Sequence, residues 1–471
     1  MNTHVDAVIT ECDRTMRTSK AGVAAARGVA HPNVLLLVEG VISISLQLLV
    51  MRQLVPFVGS SINVTSIVIT VFLAALAIGY WAGGRSAQPS HHINRNLMGL
   101  CLSLPVFFSY PFVEGFFNIG YALHLPPLVV ATLYCLLCLS PVVYLLGQFV
   151  VLLVNFKAGE GAAAKAGDTF YVSTVGNVVG GLLTTLVIMY YFGMAVALAF
   201  MTALVCLCVW MSSLDRVQKG SVIFLAFSTA FVGVLYEHLS FLRTTAYANY
   251  YVVPAEDSRF LVVNGQNASR SDVDGRGHGY IEWMEDRLES LSTSGEPLQV
   301  LVLGAGGFTL GQGRDLNVTW HFVDVDAHLP DMAEVFLQNP VDDERFSATD
   351  ARAWLAQTSA RFDVVVVDVF SHRTSVPDHL LTYQFFELIR TRLKTDGRLL
   401  MNVIVRDEPS RFARGFENTV RYVFGDCERT RLESSTPFHN RLFDCGRSAW
   451  DGYHQVYSDH NTRGLVDGSE R

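Results

Sequence analysis

The chain has 471 residues, more than one ordinary domain needs, so at least two folding units are expected. Half of the residues are hydrophobic and only 17% are charged, against roughly 25% in a typical soluble domain, which places part of the chain in lipid. The net charge of −8 provides no basic surface of the kind that binds nucleic acid, so nucleic acid is excluded as a partner.

An apolar region follows a polar N-terminal tail. The tail comprises residues 1–32, residues 33–242 are nearly continuous apolar runs, and charged residues recur every few positions from Arg243 onward. A membrane-spanning helix needs about 20 apolar residues, so a multi-pass α-helical membrane domain of about seven helices is predicted, with six or eight left open. The seven runs are residues 33–51, 62–84, 97–117, 127–154, 169–191, 193–212 and 220–242.

Basic residues in short loops indicate the orientation in the membrane. They gather on one side, in the tail, at Arg85 and Arg95 and in two later loops, whereas the other side carries Arg52 and almost nothing else. This pattern predicts a multi-pass protein of the cell membrane with a cytoplasmic N-terminus. An odd number of spans would then place the C-terminal domain outside the cytoplasm; its compartment is left open, because a cytosolic substrate would require the opposite side.

Short β-rich runs alternate with helical segments in the C-terminal part, as is typical of a parallel sheet with crossover helices. Their apolar character indicates that both faces of the sheet are covered. The predicted strands are Gln299 to Leu303, Trp320 to Val325, Arg361 to Val369 and Gly397 to Val403. Ahead of them, residues 247–263 and the Asn264-Gly265 turn predict a small β-hairpin lid.

A glycine turn follows the first of these strands, at Gly304-Ala-Gly306-Gly307. Such a turn allows a ligand to approach the backbone closely at a helix N-terminus. Asp324 ends the next strand about 20 residues on, where the hydroxyls of a ribose would lie.

Two more carboxylates follow later strands, Asp350 after the third strand position and Asp368 at the end of the fourth. Carboxylates at the carboxyl ends of successive strands converge on the crevice where doubly wound sheets bind ligands. Each of them singly is as readily a helix N-cap, so it is the set of strand-end acids that indicates a ligand site.

The stretch from Arg243 to about Gly446 resembles the polyamine aminopropyltransferase (spermidine synthase) family, in the form fused to a membrane domain. The resemblance rests on VLVLGAGGFTLGQ at 300–312, FVDVD at 322–326, TDARAWL at 349–355, FDVVVVDVFS at 362–371, VPDHLLTYQFF at 376–386 and LKTDGRLLMN at 393–402. It implies a Rossmann-like domain of the S-adenosylmethionine-dependent methyltransferase type at residues 243–457, with a small N-terminal β lid and a polar tail at 458–471.

The same resemblance implies a binding site for S-adenosylmethionine or its decarboxylated form. Gly304 and Gly306 would line the turn, Asp324 would hold the ribose hydroxyls, and Asp350 with Ala351 would face the adenine amino group. No metal is expected.

Catalysis and the second substrate involve four further positions in this resemblance. Asp368 would be the catalytic carboxylate, and Tyr247, Tyr280 and Ser371 would contact the acceptor. The implied partners are the lipid bilayer and a small-molecule amine, and a homo-oligomer is left open.

Three departures from the family pattern bear on the acceptor. The family usually carries Asp at the position of Gly307, a second Asp at the position of Ser371, and a Tyr-Gln pair where this chain has Tyr247-Ala248. Loss of acids removes favourable charge pairing with a diamine. The leading hypothesis is therefore a membrane-anchored aminopropyltransferase-like enzyme with an unidentified amine acceptor. The alternatives are a non-catalytic sensor or transporter that binds a nucleoside or polyamine, and an S-adenosylmethionine-dependent methyltransferase.

Two cysteines, Cys427 and Cys445, lie at opposite ends of a predicted antiparallel hairpin. They can come within bonding distance, which would imply an oxidising compartment, and two unpaired thiols are the alternative. The CxxC formed by Cys135 and Cys138 lies in a predicted spanning helix and is interpreted as packing.

Overall fold

The computed structural model describes residues 31–59, 62–86, 89–157, 162–241, 243–292, 295–338, 341, 343–369, 378–406, 411–432, 438–446 and 456–459. The chain divides into two compact units, and the boundary lies between Ser240 and Phe241. The first unit is helical and the second is built on β-sheets, so the predicted fold class, several long apolar helices followed by a Rossmann-like domain, is confirmed.

The first unit consists of apolar helices, the secondary structure in which every backbone polar group finds a partner within its own segment. Its helices are α1 (Pro32–Val58), α2 (Ile62–Gly84), α3 (Pro89–Phe107), α4 (Tyr110–Ala122), α5 (Pro127–Tyr134), α6 (Ser140–Lys157), α7 (Ala162–Leu183), α8 (Tyr190–Met211) and α9 (Arg216–Ser240). Short π-helical segments, Cys135–Leu139 and Thr184–Met189, join α5 to α6 and α7 to α8.

Five helical stretches in the described residues are long and apolar enough to cross a membrane, or six if the bent pair α3 and α4 counts as one span. One of the five, Ala166–Met211, has 46 residues. At about 1.5 Å per residue it would measure roughly 70 Å, more than twice the thickness of a hydrocarbon core of about 30 Å. This stretch is therefore long enough for two crossings, and its helix is interrupted at Gly193 (φ 82°, ψ −173°). The predicted number of seven spans is reached only if this stretch crosses twice and the bent pair counts as one span.

Glycines allow the helix backbones of this unit to touch. A Cβ atom on Gly40 of α1 would overlap the backbone oxygen of Ser173 in α7, and one on Gly176 would overlap the backbone oxygen of Leu37. Small residues at such crossings are typical of helix packing in membranes, where van der Waals contact replaces the hydrophobic effect as a driving force.

The second unit begins with a four-stranded antiparallel sheet in the order β1-β2-β3-β4. Its strands are β1 (Arg243–Thr244), β2 (Asn249–Pro254), β3 (Ser258–Val263) and β4 (Gln266–Asp272). The predicted lid is confirmed as a β structure, because Asn264 (φ 51°) and Gly265 (φ 76°) form the two-residue turn between β3 and β4. Two positive φ angles in succession are the reason that Asn-Gly suits such a turn.

A seven-stranded sheet follows, in the spatial order β10-β11-β9-β8-β5-β6-β7. Its strands are β5 (Leu298–Leu303), β6 (Val318–Asp324), β7 (Phe346–Ala348), β8 (Phe362–Val367), β9 (Leu393–Arg406), β10 (Glu428–Arg431) and β11 (Phe438–Cys445). Strands β5 to β9 pair in parallel, and β11 pairs antiparallel with both β9 and β10. The chain order reverses at β5, which has β6 on one side and β8 on the other, and ligands bind at such a reversal in open α/β sheets.

Helices cover the large sheet and complete its core. They are α10 (Gly279–Leu291), α11 (Leu329–Leu337), α12 (Ala351–Gln357), α13 (Tyr383–Arg392) and α14 (Arg411–Phe424). Buried aromatic residues such as Phe308, Phe336, Phe385 and Phe424 lie between helices and sheet, and their burial provides much of the stabilising free energy.

The connection from β5 to β6 corrects one prediction. The glycine turn was expected to open a helix, but residues 304–317 contain only turns and irregular backbone. The physical reason is local, because Gly304, Gly306 and Gly311 all have positive φ, as does Phe308. Residues in that region interrupt a right-handed helix. A helix N-terminus is therefore not available to a ligand at this turn.

Candidate functional site

The register of the large sheet places four residues at one level. Leu303 of β5 pairs with Val323 of β6 and with Val367 of β8, and Val367 in turn pairs with Met401 of β9. The residues that follow these are Asp324, Gly304, Asp368 and Asn402. The first three lie at the carboxyl ends of their strands, whereas β9 continues past Asn402 to Arg406. Two carboxylates thus follow strands on either side of a glycine, at the reversal of strand order.

The position of Gly304 has no room for a side chain. Its φ is +91°, and a Cβ atom there would overlap the backbone oxygen of Asp368. The backbone bonds on both sides are ordinary, since Gly304 N–H donates to Val323 (2.9 Å) and Asp368 N–H donates to Leu303 (2.9 Å). Only glycine meets both the conformational and the steric requirement at this position.

Asp368 accepts hydrogen bonds from two side chains. The Asn402 amide donates to Oδ1 at 3.0 Å, and the Tyr280 hydroxyl also donates to the carboxylate. Burial raises the pKa of Asp368, while the bonds from Tyr280 and Asn402 favour the ionised form and limit the rise. A carboxylate whose pKa is raised above the ordinary value binds a proton more tightly, which suits a general base.

Tyr280 stands in the first turn of α10 and is 9% exposed. Burial raises its pKa well above the usual value, and the charge of Asp368 adds to the rise, so the hydroxyl stays protonated and remains a donor. The His278 ring stacks on it with centroids 6.0 Å apart. Tyr280, which the family resemblance assigns to the second substrate, therefore lies next to the predicted catalytic carboxylate.

Asp324 turns back onto the glycine loop. Its Oδ2 accepts from Ala305 N–H at 3.0 Å and its Oδ1 from Asp326 N–H at 3.2 Å. Burial raises its pKa to about 6, and the neighbouring charge of Asp326 contributes to the rise. The carboxylate is half-buried.

Asp326 has a role that the sequence did not indicate. It is 1% exposed, and its Oδ2 accepts from the Thr245 hydroxyl at 2.6 Å and from the Tyr250 hydroxyl at 2.9 Å. These bonds attach the small sheet to the end of β6, two residues after Asp324. The partners are 81 and 76 residues away along the chain, so no local pattern reveals them.

Asp350 is a helix N-cap, which was the alternative interpretation of its position. Its Oδ1 accepts from Ala353 N–H at 2.9 Å, and Ala351 is buried as the first residue of α12. Its Oδ2 lies 2.8 Å from Nε2 of His379. Burial opposes ionisation, yet the bonds from Ala353 and His379 lower its pKa overall. Asp350 follows β7, next to Asp324, and a ligand that uses its Oδ2 would share that oxygen with His379.

The other two glycines of the turn differ in the room around them. Gly306 (φ +50°) has the Ser269 hydroxyl 3.1 Å from the position of a Cβ. At Gly307 a Cβ would come within 2.7 Å of the Phe336 ring and 2.9 Å of the Ser269 Cβ, and Gly307 N–H donates to the Ser269 hydroxyl at 2.9 Å. The space in which the family carries an acid is thus occupied by two other side chains.

Two predicted substrate residues remain predictions. Tyr247 lies in the turn between β1 and β2 and is 43% exposed, whereas Ala248 beside it is buried. Ser371, together with residues 372 and 373, lies outside the described residues.

The hairpin of β10 and β11 carries the predicted disulfide. Cys427 and Cys445 are bonded, with Cα atoms 4.4 Å apart, so this pairing is confirmed. Cys135 and Cys138 are both buried and unpaired with each other, in agreement with packing. Asp459, in the predicted C-terminal tail, forms a two-point ion pair with Arg352 at 2.9 and 2.6 Å.

Sequence comparison relates the chain to polyamine aminopropyltransferases. No family model matches the chain. The chain is 24% identical over 384 residues to polyamine aminopropyltransferase 1 of Streptomyces coelicolor, a match that covers 73% of this chain and 70% of that protein. It is 27% identical over 149 residues to a probable polyamine aminopropyl transferase of Bifidobacterium longum, which covers 30% of this chain and 32% of the relative. A probable spermidine synthase structure from Corynebacterium glutamicum has a TM-score of 0.38 and 18% identity, covering 47% of this chain and 85% of that one.

Proposed function

Because the chain is a spermidine synthase-like transferase, we propose that its second unit moves an aminopropyl group from decarboxylated S-adenosylmethionine to an amine. The observation that carries the proposal is Asp368, a half-buried carboxylate at the reversal of strand order, held by Tyr280 and Asn402 beside the side-chain-free Gly304. S-adenosylmethionine-type ligands would occupy the edge between Asp324 and Asp368.

Aminopropyl transfer has three parts: attack by an amine, release of a thioether and loss of a proton from the amine. A neutral amine nitrogen attacks the methylene carbon next to the sulfonium, the carbon–sulfur bond breaks, and its electron pair returns to sulfur to give a neutral thioether, methylthioadenosine. An alkylamine is an ammonium ion at neutral pH, so it must lose one proton before it attacks, and the product remains a secondary ammonium. In this proposal Asp368 accepts that proton, and its charge favours the cationic groups of both substrates.

The acceptor in this proposal carries fewer positive charges than a diamine. Phe336 and Ser269 fill the space at Gly307, so no acid can stand there to pair with a second ammonium group. Ion pairing in a partly desolvated site is a main source of selectivity between charged ligands. Among amines of equal length, we therefore expect a monoamine to be preferred over a diamine.

The proposal is tested with the purified full-length chain and two donors, decarboxylated S-adenosylmethionine and S-adenosylmethionine, each with a panel of mono-, di- and polyamines. Amine-dependent release of methylthioadenosine that is lost in Asp368→Asn supports it. The matched control is Asp363→Asn, on the same strand at its opposite end, where Asp363 pairs with Lys394 at 2.7 Å. Release of S-adenosylhomocysteine alone would establish methyl transfer, and calorimetric binding without release of either product would establish a sensor.

We also propose that the first unit anchors the protein in the cell membrane, with the second unit on the non-cytoplasmic side. The distribution of basic residues, the odd number of seven predicted spans and the bond between Cys427 and Cys445 support this arrangement, in which the nucleoside donor would have to be available outside the cytoplasm. In intact cells, an impermeant thiol reagent would label these two cysteines only after reduction, and Cys427→Ser with Cys445→Ser is the control. Labelling that requires lysis of the cells would place the unit inside.

A further inference from the structure

We infer that Asn402 and Asn440 are positioning residues that orient Asp368 and hold it as a hydrogen-bond acceptor. The inference rests on the proposed function, in which Asp368 is the base. Neither asparagine was assigned a role from the sequence, and both act through Asp368 rather than on a substrate.

The two amides form a chain that ends on the carboxylate. The Asn440 amide nitrogen donates to Asn402 Oδ1 at 2.8 Å, and the Asn402 amide nitrogen donates to Asp368 Oδ1 at 3.0 Å. The register explains the contact, because Asn402 pairs with Leu442 and Asn440 lies two residues before Leu442 on the same face of the sheet. Diagonal neighbours of this kind are within reach of long polar side chains.

The burial of Asn402 requires both ends of its amide to be hydrogen-bonded. Asn402 is 3% exposed, and its neighbours in β9 that are also buried are apolar, namely Leu399, Leu400, Met401 and Val403. A buried amide without partners is costly, so a polar residue at this position needs both of its ends satisfied. Here the nitrogen bonds Asp368 and the oxygen bonds Asn440.

Asn440 fixes which end of the Asn402 amide meets the carboxylate. An ionised carboxylate only accepts hydrogen bonds, so a carbonyl oxygen turned towards Asp368 would repel it. Because Asn440 donates to the Asn402 oxygen, the amide is held with its nitrogen towards Asp368. Asn440 thus acts on the Asp368 carboxylate through the side chain of Asn402.

The consequence for catalysis is a carboxylate with a defined geometry and charge. Asn402 holds Oδ1 and Tyr280 holds the carboxylate from α10, so rotation about the side-chain bonds of Asp368 is restrained. Both donors favour the ionised form against the effect of burial. The carboxylate keeps lone pairs that neither donor uses, and in the proposed reaction one of these would accept the proton of the amine.

The test compares Asn402→Leu and Asn440→Leu with Asn317→Leu in the full-length chain. Asn317 is exposed, precedes β6 at the opposite end of the sheet and donates to the Gly295 backbone at 3.2 Å, so it controls for the same substitution away from the site. We expect both test variants to lower kcat with little change in the KM for the nucleoside. The acidic limb of the kcat profile should move to higher pH, by about one unit in Asn402→Leu and less in Asn440→Leu.

A purely structural role would lower the melting temperature and leave the pH profile in place, and this outcome would overturn the inference. A second readout does not require turnover. Infrared spectra of protein with 13C-carboxyl aspartate, taken as the difference from Asp368→Asn, report the protonation of Asp368 directly. If the wild type releases no methylthioadenosine, the proposed function fails, while an unshifted Asp368 titration in both asparagine variants would refute the positioning by itself.

Discussion

The Phe336 ring lies where a side chain on Gly307 would have to go, 2.7 Å from the position of its Cβ. Reintroducing the family acid through Gly307→Asp should therefore not create a diamine site. Overpacking costs about 1–3 kcal/mol, and an unpaired charge in the same space adds to the loss, so the melting temperature should fall. Combined with Phe336→Ala, the change should be less harmful than on its own, which a double-mutant cycle measures. A stable Gly307→Asp variant with new activity on diamines would contradict this account.

Gly304→Ala is expected to damage the site directly. The residue has a φ of +91° and touches the Asp368 backbone, and each strained backbone position costs about 1–3 kcal/mol. We expect a lower melting temperature and weaker calorimetric binding of methylthioadenosine. Gly295→Ala is the control, because no atom lies within 4 Å of a Cβ there. Equal binding by the two variants would show that the glycine turn does not shape the site.

Asp324 should make nucleoside binding depend on pH. Its pKa is about 6 in the folded chain, above an unfolded value of roughly 3.9, so folding favours the protonated form. The stability that this group contributes is full below about pH 4 and is lost as the pH rises through about 6. Ribose hydroxyls donate best to the ionised form.

Affinity for methylthioadenosine should therefore rise between about pH 5 and about pH 7, and Asp324→Asn should abolish that rise. Calorimetric titrations at several pH values measure it. The same pH dependence in Asp324→Asn and the wild type would assign the effect to another group.

The bonds from Thr245 and Tyr250 to Asp326 should determine how firmly the small sheet is attached. A hydrogen bond to a charged group contributes about 1.5–3 kcal/mol, so Thr245→Val and Tyr250→Phe should each lower stability by an amount in that range. Amide exchange in β1 and β2 should become faster in both variants. Tyr422→Phe, at a residue that is 42% exposed, is the control. Unchanged exchange in β2 would mean that packing alone holds the sheet.

The sequence predicted the strands and the acids at their ends for a physical reason. Continuous apolar runs mark buried parallel strands, and the residues that follow them must share one edge, as Gly304, Asp324 and Asp368 do. The Asn264-Gly265 turn was predictable because its conformation is strictly local.

Other features depend on contacts that a single sequence does not contain. The missing helix after β5 follows from several positive φ angles in one short connection, which a glycine pattern alone does not distinguish from a nucleotide-binding turn. The partners of Asp326 and the pairing of Asp350 with His379 join distant segments. Asn402 offered one signal, a polar residue within a buried apolar strand, and its significance becomes clear only once Asp368 is seen beside it.

The most direct test of the central claim is the rate of methylthioadenosine formation in a single turnover, with saturating donor and a reactive amine. Removal of a general base typically lowers such a rate by about 10²–10⁴-fold, and this loss is predicted for Asp368→Asn but not for Asp363→Asn. If Asp368→Asn forms methylthioadenosine as fast as the wild type, Asp368 is not the catalytic carboxylate and the proposed mechanism is wrong.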